Sequence, residues 1–185
     1  EVLYRIVGGP AINVDPSDVP SLQQGHIPKR KGFFGESFAR SLLRDGDGLA
    51  HVITATNVLA HVPDPLDFMR GIKVLLAPDG VAVFEFPDGW AFAQNVLFDT
   101  VYAEHIGYVT FEGVAALCER AGLAVEDIQK TAIHGGSLRV YVRHASAVKH
   151  KVNLMHSADP VPDFAPAMAT RLFGLADKLK GKKII

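Results

Sequence analysis

The chain has 185 residues, of which 48% are hydrophobic and 21% charged, enough for one domain with its own core and unlike a disordered or fibrous protein. Its 19 basic and 20 acidic residues give a formal charge of -1, so no overall field gathers nucleic acid or anionic lipid, and a phosphate-bearing ligand needs a local site. The single cysteine, Cys118, excludes an intramolecular disulfide.

Residues 1–7 are strand-like from the start, without an initiating methionine, so the chain reads as a fragment. Gly8-Gly9-Pro10 breaks that run, and residues 11–14 predict a short strand stopping at Asp15. Residues 37–44 carry Phe38, Leu42 and Leu43 at helical spacing before the breakers Asp45-Gly46-Asp47-Gly48. Residues 51–56, dense in β-branched side chains, predict a strand buried on both faces of a parallel sheet.

Asp64 and Pro65 open a helix with Leu66, Met69, Val74 and Leu75 as its apolar stripe, closed by Ala77-Pro78-Asp79-Gly80. A strand follows over 81–86, a helix over 111–121 ended by Gly122, and strands over 123–129 and 137–143. Residues 145–164 read as a linker, 165–179 as a helix, and Ile184-Ile185 as the start of a truncated strand. Strands alternating with helices in this order predict an open, doubly wound α/β sheet. No apolar run approaches the ~20 residues of a membrane span and no signal-peptide pattern opens the chain, so a cytoplasmic location is expected.

Such sheets bind ligands beyond the carboxyl ends of their strands. Asp15 ends a strand there and either accepts hydrogen bonds from a ribose or caps the following segment. Residues 57–61 follow the next strand, where His61 is either a functional imidazole or an ordinary polar residue. Tyr102-Ala103-Glu104-His105, flanked by Phe98, Asp99 and Tyr108, gathers a phenol, a carboxylate and an imidazole, groups suited to proton transfer near neutrality. Its plain alternative is the polar surface of a helix. His134-Gly135-Gly136-Ser137-Leu138-Arg139 is either a glycine turn or a place where backbone and Arg139 approach a ligand. No histidine pair has the spacing of a familiar zinc motif, so no metal site is expected, and no nucleophile elbow, Walker loop or His-Glu-x-x-His motif is present.

Taken in order, Asn57-Val58-Leu59-Ala60-His61-Val62-Pro63-Asp64, Leu76-Ala77-Pro78-Asp79-Gly80, Tyr102-Ala103-Glu104-His105 and His134-Gly135-Gly136-Ser137-Leu138-Arg139 resemble the sugar C-methyltransferase family, which acts on deoxysugar nucleotides with S-adenosylmethionine. The resemblance runs from about Asn13 to Val142. It implies a Rossmann-like class I methyltransferase sheet over residues 1–145, with residues 146–185 a linker and helix leading to a truncated C-terminal subdomain. It makes His105 the general base, places Tyr102, Glu104 and His61 around the sugar, and matches Asp15 to the residue that binds the adenosyl ribose. Phe33, Asn57 and Val58 are expected beside the cofactor, and His134 and Arg139 beside the substrate. Family members also have an N-terminal zinc-binding domain and a glycine-rich loop after the first strand, neither of which is in this sequence, and a cut at both ends accounts for that. Gly32 departs from the aspartate that relatives often have there.

The reaction so implied is removal of a proton next to a sugar ketone by His105, attack of the enolate carbon on the cofactor methyl, and stabilisation of the oxyanion by Tyr102 or His61. Two rival readings are a methyltransferase with another small-molecule substrate and a non-catalytic cofactor-binding remnant. A nucleotide sugar is the expected partner, with no nucleic acid and no membrane.

Overall fold

A computed structural model describes residues 10–18, 27–150, 152 and 162–181. The strand expected over 1–7, half of the linker and the terminal isoleucines lie outside these residues.

The four-stranded sheet has the order β3-β4-β6-β5, where β3 is Ala50–Thr56, β4 Leu76–Pro87, β5 Leu123–Thr131 and β6 Ser137–His144. β3 runs parallel to β4, and β6 is antiparallel to both β4 and β5. The carboxyl ends of β3, β4 and β5 therefore share one edge with the amino end of β6. Two earlier strands, β1 (Asn13–Asp15) and β2 (Lys29–Lys31), form a separate parallel pair.

Two helices cover the first half of the chain: α1 (Glu36–Arg44) and α2 (Pro65–Leu75). Asp64 caps α2 by accepting from the amides of Leu66 and Asp67 at 3.1 and 2.9 Å, and Pro65 begins it where no amide is needed. The helices touch closely because both facing positions are glycine. A Cβ on Gly71 would come within 2.7 Å of the Gly35 backbone. The buried stripe of α2 is Phe68, Met69, Ile72 and Leu75, with the expected Leu66 and Val74 only half-buried at its flanks.

A second short helix, α3 (Gly89–Asn95), leaves the end of β4, and α4 (Phe111–Ala121) precedes β5. Thr110 caps α4 by accepting from the Gly113 amide, and Gly122 ends it at φ +77°, a backbone state that only glycine adopts without strain. The main core packs Phe84, Phe86, Leu138, Val140 and Val142 of the sheet against Phe68, Met69 and Ile72 of α2 and Val114 and Cys118 of α4. A smaller cluster around Ala39, Leu42 and Leu75 receives Val14 from β1 with Ile12 just before it, and Ala50 and Ile53 from β3, which ties the two sheets to one helix layer. Helix α5 (Phe164–Leu179) is largely exposed and meets the body where Arg171 donates to the carbonyls of Asn95 and Val96.

Three expectations change. β3 is not buried on both faces: it is the outer strand of the four, and Val52 is 48% exposed. Residues 77–80 do not form a turn but lie within β4, whose pairing with β3 jumps from Leu76 opposite Ala50 to Val81 opposite Val52 and so absorbs Pro78 and Gly80. The sheet is mixed rather than parallel, because β6 enters it in reverse. Among the described residues no helix is long and apolar enough to cross a membrane.

Candidate active site

The residues singled out after the strands converge on the carboxyl edge. Asn57 follows β3 with φ +55°, held there by its amide donating to the Glu85 carbonyl at 2.8 Å. A 3-10 turn, Leu59–His61, comes next and buries Leu59 and Ala60, so that His61 is fixed by apolar packing beneath it.

Residues 102–105 form a turn rather than a helix face. The turn closes through the His105 amide on the Tyr102 carbonyl, and the Ile106 amide ties it to the Ala60 carbonyl at 2.9 Å. The two imidazoles thereby come together, with His61 and His105 ring centroids 4.9 Å apart.

Hydrogen bonding decides what each ring can do. His105 Nδ1 lies 2.8 Å from the Thr100 carbonyl, which can only accept, so Nδ1 carries the hydrogen. The lone pair of the neutral ring is then on Nε2, and the Tyr102 hydroxyl, 2.7 Å away, donates into it. His61 Nδ1 likewise donates to the Glu104 carbonyl at 2.7 Å, leaving the lone pair of the neutral ring on Nε2. Glu104 thus serves His61 through its main chain, and its side chain is on an exposed residue.

Tyr108 completes the wall. Its hydroxyl donates to the same Thr100 carbonyl at 2.9 Å, and its ring stacks on Phe92 of α3 at 4.1 Å. Thr100 and Phe92 were not among the residues picked from the sequence. A carbonyl acceptor has no side-chain signature, and Phe92 reads as an ordinary apolar helix residue.

His134 also has positive φ, +55°, and its Nε2 is 3.4 Å from Asn57 Nδ2. Two non-glycine residues in the left-handed region meet here, a local strain that surrounding structure must hold in place. Arg139 turns to Glu85 instead of outward: its Nε and Nη2 donate to one Glu85 oxygen at 2.9 and 2.6 Å. Glu85 is only 8% exposed, so this pair satisfies a carboxylate within the sheet.

Around β1 and β2, Asp15 accepts from the Ser17 amide at 2.7 Å and from the Ser17 hydroxyl. Those bonds, with Lys29 nearby, hold its carboxyl below the ordinary carboxylate range and keep it an anionic acceptor. Phe33 stands 79% exposed just past β2. The Phe38 ring occupies the space that a Cβ on Gly32 would enter, which explains why glycine and not aspartate stands there. Among the described residues no group of three or more His, Cys, Asp or Glu side chains is placed to hold a metal ion.

Comparison with known proteins places this architecture. Residues 1–128 match the model of a family described as a methyltransferase domain, well over half of the chain. The chain belongs to that methyltransferase family. This methyltransferase domain is 36% identical over 148 residues to the C-methyltransferase NovU of Streptomyces niveus, an alignment covering 78% of the chain and 35% of NovU. The chain therefore spans about a third of the length of that relative. Among solved structures, it is similar to a SAM-dependent methyltransferase from Anabaena variabilis, with a TM-score of 0.57 at 14% identity over 77% of this chain and 72% of that one. An O-methyltransferase family protein from Burkholderia thailandensis gives a TM-score of 0.53 at 16% identity, covering 78% of this chain and 46% of that chain. The domain has the Rossmann-like fold of SAM-dependent methyltransferases.

Proposed function

We propose that this domain binds S-adenosylmethionine and serves C-methylation of a nucleotide-linked 4-keto-deoxysugar through an enolate. The observation that carries the reading is the fixed hydrogen-bond chain from Tyr102 through His105 to Thr100, beside a second imidazole. The likeness to NovU, named a C-methyltransferase, supports carbon as the methylated atom.

The residues present fit the cofactor's chemistry. Asp15, held ionised, suits a ribose diol, and the exposed Phe33 ring suits an adenine face, with Asn57 and Val58 at the neighbouring strand end. Bound there, the cofactor supplies an electrophilic methyl group.

The protein's own part is proton handling. As the substrate carbon releases its proton to the Tyr102 oxygen, the Tyr102 proton passes to His105 Nε2, and the Thr100 carbonyl holds the resulting imidazolium through Nδ1–H. His61, 4.9 Å from His105 between ring centroids and with its Nδ1–H held by the Glu104 carbonyl, lines the same edge, where its ring can meet the oxygen of the enolate. His134 lies at the same edge, across from Asn57, where it can meet the sugar.

The test separates the proton step from methyl transfer. Exchange of the carbon-bound hydrogen next to the ketone is followed in deuterated water, and labelled methyl transfer from S-adenosylmethionine is followed in parallel. His105→Ala should slow both by about 100-fold or more, the usual size of a general-base contribution, and Tyr102→Phe should slow exchange because the relay loses its middle member. Exchange at the unaltered rate in His105→Ala would refute the assignment.

A further inference from the structure

Helix α3 has a second side. Phe92 stacks on Tyr108, while Trp90 and Gln94, each two residues away and so about 200° around the helix, line a cavity of about 180 Å³. The ends of β4 and β5 and the start of β6 close that cavity with Asp88, Thr131 and Ser137, and Lys130 stands at its margin.

Its chemistry is that of a hydrogen-bonding site. The Asp88 carboxylate is on a residue only 6% exposed and, among the described residues, accepts from the Trp90 amide at 3.0 Å, although an ionised carboxylate offers about four acceptor positions. Ser137 Oγ donates to the Ile133 carbonyl at 2.9 Å, which leaves its lone pairs to receive a donor. Among the described residues, Thr131 Oγ1 is buried and has no hydrogen-bond partner. Such an atom is uncommon in a folded protein and asks for an external partner. Two acceptors, a hydroxyl of either sense, an indole wall and a cation at the margin match a ring with adjacent hydroxyls and an attached phosphate. A vicinal diol suits the carboxylate and serine, the apolar ring face suits Trp90, and the phosphate suits Lys130. The volume is below the roughly 300–1,000 Å³ of a pocket for a drug-sized ligand, so it holds one ring and not a whole nucleotide sugar.

We propose that the cavity between α3 and the β5–β6 turn binds a phosphorylated sugar ring through its adjacent hydroxyls, separately from the histidine pair. The ring is either a free sugar phosphate or the ribose phosphate of a nucleotide. The proposal does not depend on methyl transfer, because it is tested without cofactor.

Trp90 is the only tryptophan in the chain and lines the cavity, so its fluorescence reports occupancy directly. Glucose 1-phosphate, uridine diphosphate and inorganic phosphate are titrated into the full chain and into Thr131→Val and Asp88→Asn. Thr131→Val is nearly isosteric and removes an unpaired polar atom, so it should fold at least as well as the parent. Saturable quenching by glucose 1-phosphate or uridine diphosphate, weakened tenfold or more in both variants, is the expected result, and which of the two binds identifies the source of the ring. No saturable change with either probe overturns the proposal, as does binding of inorganic phosphate with equal affinity or binding that Thr131→Val leaves unaltered.

Discussion

Cys118 is fully buried on α4, and removal from water pushes its thiol up to about 12. The folded state therefore favours the neutral thiol, while the unfolded chain ionises near the ordinary value of 9.0. The stability gained from burying the neutral group is complete below that lower value and is lost as pH rises toward 12, at up to about 1.4 kcal/mol per pH unit from this one residue. Iodoacetamide at pH 8 should leave Cys118 unmodified in the native protein and label it once denaturant unfolds the chain, as mass spectrometry would read. Labelling of the native protein at the rate of a free thiol would contradict the burial. At this scale the sequence reveals chemistry better than partnership. Tyr102, His105 and His61 are legible as proton-handling types, but the hydrogen positions come from the carbonyls of Thr100 and Glu104, which no side-chain pattern marks. Arg139 is legible as a cation, and nothing local says that Glu85, 54 residues away, engages it.

Gly71 shows how a single missing methyl shapes a pair of elements. The α1–α2 contact brings its Cα against the Gly35 backbone and the Phe34 ring, so Gly71→Ala must push backbone against backbone, where no side chain can swing aside. Overpacking of this kind typically costs about 1–3 kcal/mol, and the alanine's better helix propensity returns only about 1 kcal/mol. The variant should unfold at lower urea concentration with an unchanged slope, whereas an unchanged midpoint would mean that the helices separate without penalty. Elements with a strong apolar rhythm and clear caps are legible from sequence: α4 is predicted at its observed limits, Phe111–Ala121, and β6 to within one residue. Elements held by other means are not. β2 is Lys29-Arg30-Lys31, with no apolar residue, and is satisfied by ion pairs, among them Arg30 on Asp47 at 3.1 and 2.8 Å. α3 is one short helix between aromatic residues, set by the Asp88 cap and the Tyr108 stack more than by periodicity.

Across the whole molecule, Arg171 ties the exposed α5 to the body. Arg171 reaches the carbonyls at the end of α3, groups that the helix itself leaves without intrahelical partners. Arg171→Ala should speed amide hydrogen exchange across Phe164–Leu179 while the amides of β4 and β6 keep their protection, and equal exchange in both proteins would show that α5 is held by other contacts. The doubly wound class is legible from the alternation of elements, but the reversal of β6 is not, because strand direction is set by how the chain returns to the sheet and not by its residues. That reversal also governs where anything joined behind the sheet emerges. A polypeptide fused directly after His144 would exit at the rim opposite the histidine pair and leave that edge unobstructed. A segment meant to cover that edge has to double back along the flank first.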